Sequence, residues 1–368
     1  MLIPCFRPAN TARPEQDEAD LGASRRRQWV VFPGPLWARF HLISEVSLFK
    51  NLIVYRIAAG WSAAVGQVEE SLAKAAFVPC GPTQPLSLGW TAPRGSAHGP
   101  LVETVAGQWL MKLAIEQKVL PASVVKRRAE ERALHIEQTT GRKPGKKQTK
   151  ELRDEAMLDL LPLAFTKQAA VPVWVDVKHQ LLMIDAGSVS KADQVVTLLV
   201  KSLDGLAPML VHTAQAPAAV MAAWLLDGSA APPFTVDREC ELKSADEMKS
   251  VVRYARHPLD TDEVRQHITA GKLPTRLALT WRDRVSFVLT NALQLKKIAL
   301  LDVVMEGPGR GDKADDAFDA NAAIATGELA PLIADLIDAL GGEQAPGSVV
   351  ASAADPVNAP ASRQPVPA

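Results

Sequence analysis

Cysteine and tyrosine are scarce in this chain: 3 and 2 of 368 residues. Cys5, Cys80 and Cys240 lie far apart, with no C-x-x-C pair and no Cys/His cluster at zinc spacing. That excludes a disulfide framework and a zinc module, and the expectation is reduced thiols in a cytosolic protein. No uninterrupted apolar run reaches the roughly 18 residues of a membrane span. Proline and acidic residues break the segment before Trp29, so it does not read as a secretory signal. An excess of either charge is missing too. Lys plus Arg number 41 and Asp plus Glu number 41, which excludes a generic polycation.

The balanced sum hides segregation. Residues 302–343 carry mostly Asp and Glu, whereas residues 126–153 are basic. The stretch 121–167 reads PASVVKRRAEERALHIEQTTGRKPGKKQTKELRDEAMLDLLPLAFTK. Val124, Val125, Leu134 and Ile136 supply apolar positions before a Gly/Pro break, and Leu152, Met157, Leu158, Leu160 and Leu161 supply them after it. This pattern predicts a helical hairpin with a basic tip. Arg142, Lys143, Lys146 and Lys147 at the tip are candidates for phosphate contact, since phosphates need cations and tolerate any sequence. The plain alternative is a solvated helix pair laced by salt bridges.

Five segments are expected along the chain. Residues 1–45 form a poorly ordered extension or follow a misassigned start, with Val46 as the alternative beginning. Residues 46–120 begin an α+β body, 121–167 are the tip, 168–343 complete the body, and 344–368, rich in Ala, Pro and Ser, are a disordered tail. Within the body, residues 52–57 read as a strand and 87–95 as a turn-rich segment around Trp90. Residues 171–186 read as a hairpin, and 188–203 as a helix capped by Ser188 or Ser190. Leu277, Leu279 and Trp281, then Val285, Phe287 and Leu289 after an Arg-Asp-Arg turn, give the clearest hairpin. Residues 298–304 read as an edge strand and 318–340 as a terminal helix. Hairpins mixed with helices, without a β-α-β rhythm, place the chain in the α+β class.

Three motifs invite other chemistry. Gly141 to Lys147 is one residue too short for a P-loop and has Lys147 where Ser or Thr would hold magnesium; Gly307 to Lys313 has Asp312 where the lysine belongs. Glu241-Leu242-Lys243, with Asp237 or Glu239, matches part of a metal-dependent nuclease pattern, although the same letters suit an exposed strand. RNA binding would suit the basic tip, but neither an RNP aromatic motif nor a GXXG loop is present.

Distinct blocks together resemble one family. FKNLIVYRI at Phe49, AFVPCG at Ala76, KVLPASVVK at Lys118, LRDEAMLDLLPLAF at Leu152, HITAGK at His267 and RLALTWRDRVSFVLT at Arg276 are similar to the recombination-associated RdgC proteins. The resemblance runs from about Leu48 to Glu343. It implies a horseshoe-shaped subunit with a sheet/helix body and a protruding basic helical-hairpin tip. Two subunits would pair as a ring-shaped homodimer around duplex DNA. It further implies a nucleoid-associated protein of the cytoplasm, without cofactor, metal or catalytic residues and without membrane association. Such a protein binds double-stranded DNA, and also single-stranded DNA, with little sequence preference and limits access of RecA. The family's basic fingertip pair falls on Arg142 and Lys143. Its functional Phe falls on Phe165, a gate or interface residue by resemblance and a cap on the core by the plain reading. Its usual Arg two positions earlier is Leu163 here. A Lys-Gln pair tied to DNA binding or ring contact falls on Arg256 and His257, and Lys272 matches directly.

Overall fold

A computed structural model describes residues 48–96, 98–246, 248–305 and 314–344. The expected extension 1–45, the stretch 307–313 and the tail beyond Gln344 lie outside the described residues.

The elements in chain order are β1 (Leu52–Ile57), α1 (Val65–Ala73), β2 (Leu86–Thr91), β3 (Glu103–Val105) and β4 (Gln108–Val119). Two helices follow, α2 (Ala122–Thr140) and α3 (Lys146–Leu160), then β5 (Phe165–Asp176), β6 (Leu181–Ile184) and α4 (Val189–Ser202). Next come β7 (Pro208–Leu210), α5 (Pro217–Asp227), β8 (Phe234–Ser244), β9 (Val251–Ala255) and α6 (Asp262–Thr269). The last are β10 (Lys272–Trp281), β11 (Val285–Thr290), β12 (Gln294–Leu300), α7 (Asp302–Met305) and α8 (Ala314–Ala339).

The strands of the described residues join one 12-stranded antiparallel sheet in the order β2-β4-β5-β6-β1-β12-β11-β10-β8-β9, with β3 on β4 and β7 on β1. The α+β reading therefore holds. Two halves meet where β1 pairs β12, through Leu52 opposite Leu295 and Ile53 opposite Gln294. The same edge of β1 receives β7 further along, with Tyr55 opposite Leu210. One core lies against both halves and contains the buried stripe of α8, Ala322, Ala325, Leu329, Leu332, Ile333 and Leu336. The second core covers the other face of the first half, where Val68 and Leu72 of α1 and Ala192, Val195 and Leu199 of α4 pack. Residues 317–339 are long and apolar enough to cross a membrane by length and composition. That apolar stripe is spent on the first core.

The expected β10–β11 hairpin is present, with Leu277 opposite Leu289, Leu279 opposite Phe287 and Trp281 opposite Val285. Three expectations change. Residues 87–95 are not mainly turn, because β2 occupies Leu86–Thr91. Its Gly89 is required by a chain crossing: a Cβ there would lie 2.3 Å from the Cα of Phe77. The crossing is tied by Phe77 N–H to Trp90 O and Trp90 N–H to Ala75 O, both 2.9 Å. The expected edge strand 298–304 is displaced. β12 begins at Gln294 and is central, while Asp302–Met305 is helical. Ser188 does occupy the N-cap of α4, but no side-chain capping bond forms.

Candidate nucleic-acid interface

Helices α2 and α3 occupy the connection between the paired ends of β4 and β5, where Val119 stands opposite Phe165. Pro121 has an extended conformation that suits the residue before a helix, and Gly141 ends α2 in the left-handed conformation at φ 67°, its N–H bonded to Glu137 O at 2.8 Å. Gly145 then starts α3 from extended backbone. The pair has its own small core of Ala129, Leu152 and Ala156, flanked by Val125, Ala133 and Ile136. Alanine at 129 and 156 lets the two backbones approach. Arg132 of α2 then reaches across to Glu155, at 3.3 Å, and to Asp159 of α3.

Ion pairing divides the cations of this unit. On α2, Lys126 pairs with Glu130 at 3.6 Å, Arg127 with Glu131 at 4.0 Å and Arg128 with Glu131 at 3.3 Å. Lys143 in the loop lies 3.8 Å from Glu137 while remaining largely exposed. Arg142, Lys146, Lys147, Lys150 and Arg153 are exposed and have no ion pair among the described residues. The loop and the start of α3 thus present positive charge that nearby carboxylates do not cancel.

Phe165 is 88 % exposed and Leu163 80 %. The plain reading of Phe165 as a cap on the core is therefore overturned: the 3-10 turn at Leu161–Leu163 buries Leu161 and leaves the following ring in solvent. A groove of about 480 Å³ opens nearby, with Pro85, Leu120, Val125 and Met157 in its wall and Lys118, Lys126 and Arg153 also lining it.

Arg256, His257 and Lys272 belong to the other half of the sheet. One chain does not bring them to the helix pair, which is inserted between β4 and β5. Arg256 is exposed and has φ 58°, a conformation uncommon for a residue with a side chain. His257 N–H bonds to Arg238 O at 3.1 Å, and its Nδ1 lies 2.6 Å from Pro258 O. Tyr254, missed in the sequence reading, connects this corner to Lys272. Its ring is 5.5 Å from that of His257 and 6.4 Å from that of His267, and His267 Nδ1 is 3.2 Å from Lys272 Nζ. The Tyr254 hydroxyl donates to Glu263 Oε1 at 2.9 Å, and burial first, then this carboxylate, pushes its pKa up to about 12. Spacing could not reveal the cluster, because β9 and β10 meet only across β8.

The carboxylates of the nuclease alternative have other partners. Glu241 Oε1 accepts from Thr275 at 2.7 Å and Oε2 from Arg253 at 2.6 Å. The Thr275 bond, followed by the Arg253 bond, holds this carboxyl below its ordinary range despite partial burial. Asp237 accepts from Thr280 through both oxygens, and Glu239 pairs with Lys297 at 2.6 Å. Among the described residues no three His, Cys, Asp or Glu converge to hold a metal ion.

The fold and this geometry define an antiparallel α+β protein carrying an inserted, cation-rich helix pair. Residues 48–343 match the family model described as "Putative exonuclease, RdgC". The recombination-associated protein RdgC of Dechloromonas aromatica is 44 % identical over 299 residues, covering 80 % of this chain and 98 % of the relative. That of Cupriavidus necator is 47 % identical over 297 residues, covering 80 % and 99 %, and that of Herminiimonas arsenicoxydans 45 % over 298, covering 81 % and 99 %. The chain belongs to the RdgC family.

Proposed function

We propose that this protein binds DNA without sequence preference, closing with a second copy into a ring around the duplex. It would act at the nucleoid in the cytoplasm and limit access of RecA. The observation that carries the reading is the cluster of unpaired cations at the loop and start of α3, in a chain whose relatives are named recombination-associated. In this reading the subunit is horseshoe-shaped and the helix pair is its protruding tip. Arg142, Lys143, Lys146 and Lys147 meet phosphates there, and Arg256, His257 and Lys272 add a second cationic surface. Phe165 serves closure of the ring. Binding needs no cofactor: cations displace counterions condensed on the duplex, and ring closure slows release. Single-stranded DNA would bind the same cations more weakly, because its charge density is lower.

The test is affinity for linear and circular duplexes across a salt series, with solution mass measured in parallel. Neutralising about six phosphates gives a log-log slope on the order of −5 or steeper. A flat salt response, a strong preference for one sequence, or a monomeric mass at working concentration would overturn the proposal.

The description of the family as exonuclease-like keeps a nuclease as the second reading. Glu241 and Lys243 are its candidate residues, and the commitment of Glu241 to Thr275 and Arg253 speaks against it. Supercoiled, linear and single-stranded DNA should survive incubation with the protein and magnesium or manganese. Cleavage that disappears in Glu241→Ala and Lys243→Ala would establish the enzyme instead.

A further inference from the structure

Helices α2 and α3 look alike in composition, and both carry several cations. Their surroundings differ. Lys126 has Glu130 at 3.6 Å, Arg127 and Arg128 share Glu131 at 4.0 and 3.3 Å, and Arg132 is held by Glu155 and Asp159 across the pair. Exposed pairs of this kind add little to stability. They matter for the field, because a carboxylate that close cancels most of a cation's potential beyond a Debye length of about 8–10 Å. Lys146, Lys150 and Arg153 have no such partner among the described residues and are exposed.

These three residues also share a face. Steps of four and three residues return to nearly the same side of a helix, so 146, 150 and 153 form a stripe along α3. At 1.5 Å per residue, Lys150 is about 6 Å and Arg153 about 10 Å along the axis from Lys146. One DNA strand presents a phosphate about every 3.4 Å of helix axis, so flexible side chains at those spacings can reach phosphates two to three nucleotides apart. Glu151 lies roughly 140° round the helix from Lys146 and Glu155 is taken by Arg132; Asp154 stands one turn beyond Lys150 on nearly the same side, and no ion pair joins the two among the described residues. Arg153 at the far end also lines the apolar groove. Arg142 in the loop and Lys147 in the first turn of α3 flank the near end.

We infer that the phosphate-contacting surface runs along one face of α3 through Lys146, Lys150 and Arg153, and that the cations of α2 take no part in it. The inference rests on the DNA-binding reading and sharpens it: Lys150 and Arg153 join the surface, and Lys126, Arg127 and Arg128 are left out.

Two full-length variants test it, each removing three positive charges: Lys146→Gln/Lys150→Gln/Arg153→Gln and Lys126→Gln/Arg127→Gln/Arg128→Gln. Affinity for one duplex of fixed length is measured across a sodium chloride series. The α3 variant should lose about three units of log-log slope, at about 0.9 per contact, while the α2 variant stays within about half a unit of the parent. Equal losses, or a larger loss from α2, would overturn the inference while leaving DNA binding in place. A parent protein that fails to bind would instead remove the DNA-binding reading itself. Should a triple variant melt early, Lys150→Gln alone must still shift the slope by about one unit, and no shift counts against the stripe.

Discussion

Leu52 of β1 and Leu295 of β12 stand opposite each other at the rung that joins the two halves of the sheet, and they are 0 % and 1 % exposed. Both belong to the core shared by the halves. Leu295→Ala should therefore cost about 2–5 kcal/mol, the usual range for a fully buried leucine. Urea unfolding followed by circular dichroism reads the loss. A cost under about 1 kcal/mol would mean that the seam is not needed to hold the halves together.

At the loop between α2 and α3, Arg142→Ala/Lys143→Ala should weaken binding to all DNA sequences alike and make the salt slope shallower by about one to two units, because Glu137 lies 3.8 Å from Lys143 and offsets part of its charge. The solution mass should not change. Sequence-dependent losses would show contacts to bases instead of phosphates.

Phe165 gives the opposite pattern. Its ring is almost fully exposed, so Phe165→Ser should leave unfolding within about 0.5 kcal/mol of the parent. Its proposed place is ring closure, so dissociation from circular duplex should quicken while the salt slope holds. Competitor-induced release from circular and linear DNA separates the two. Unchanged release from both would remove Phe165 from closure.

Glu241 predicts a pH dependence. The Thr275 hydrogen bond, then Arg253, lower its carboxyl pKa in the folded protein. A folded-state pKa below the unfolded one gives stability that is complete above the unfolded carboxyl value, about 4.3, and is lost as pH falls through the folded value. The stability gap between parent and Glu241→Gln should thus be widest near neutral pH and shrink below about pH 4–5. A constant gap from pH 7 to 3 would show that the charge contributes nothing.

Cys240 is buried, and burial followed by the Glu241 charge pushes its thiol up to about 12. The thiolate is the reactive form, so Cys240 should resist alkylation at pH 8 until the protein unfolds. Mass spectrometry of the modified peptides checks this, and rapid labelling of native Cys240 would contradict its place in the core.

Local patterns were legible wherever one face of an element is buried. The alternation at Leu277, Leu279 and Trp281 marked the hairpin, and Gly141 marked the end of α2. β12 was misread for a physical reason. Lys296 and Lys297 suggest an edge, yet their amines reach out to Gly187 O and to Glu239 while Leu295 and Ile298 fill the core. Its other neighbour, β1, lies more than two hundred residues earlier, beyond the reach of local pattern. The basic helix pair could be found from composition, but its division into paired and unpaired cations required the positions of both helices. Likewise Tyr254 and His267 meet only once the strands have paired.

The place of β12 also sets an order of events at the ribosome. Leu52 and Ile53 emerge early, and the strand that covers their edge is completed last, after β8 to β11 have been made in turn. Translation at about 5–20 residues per second puts on the order of 10–50 s between the two. Throughout that interval the nascent first half carries an open strand edge able to pair with another chain. The β7 segment reaches the far end of β1 well before β12 does, and its three rungs cover part of that edge while the rest waits.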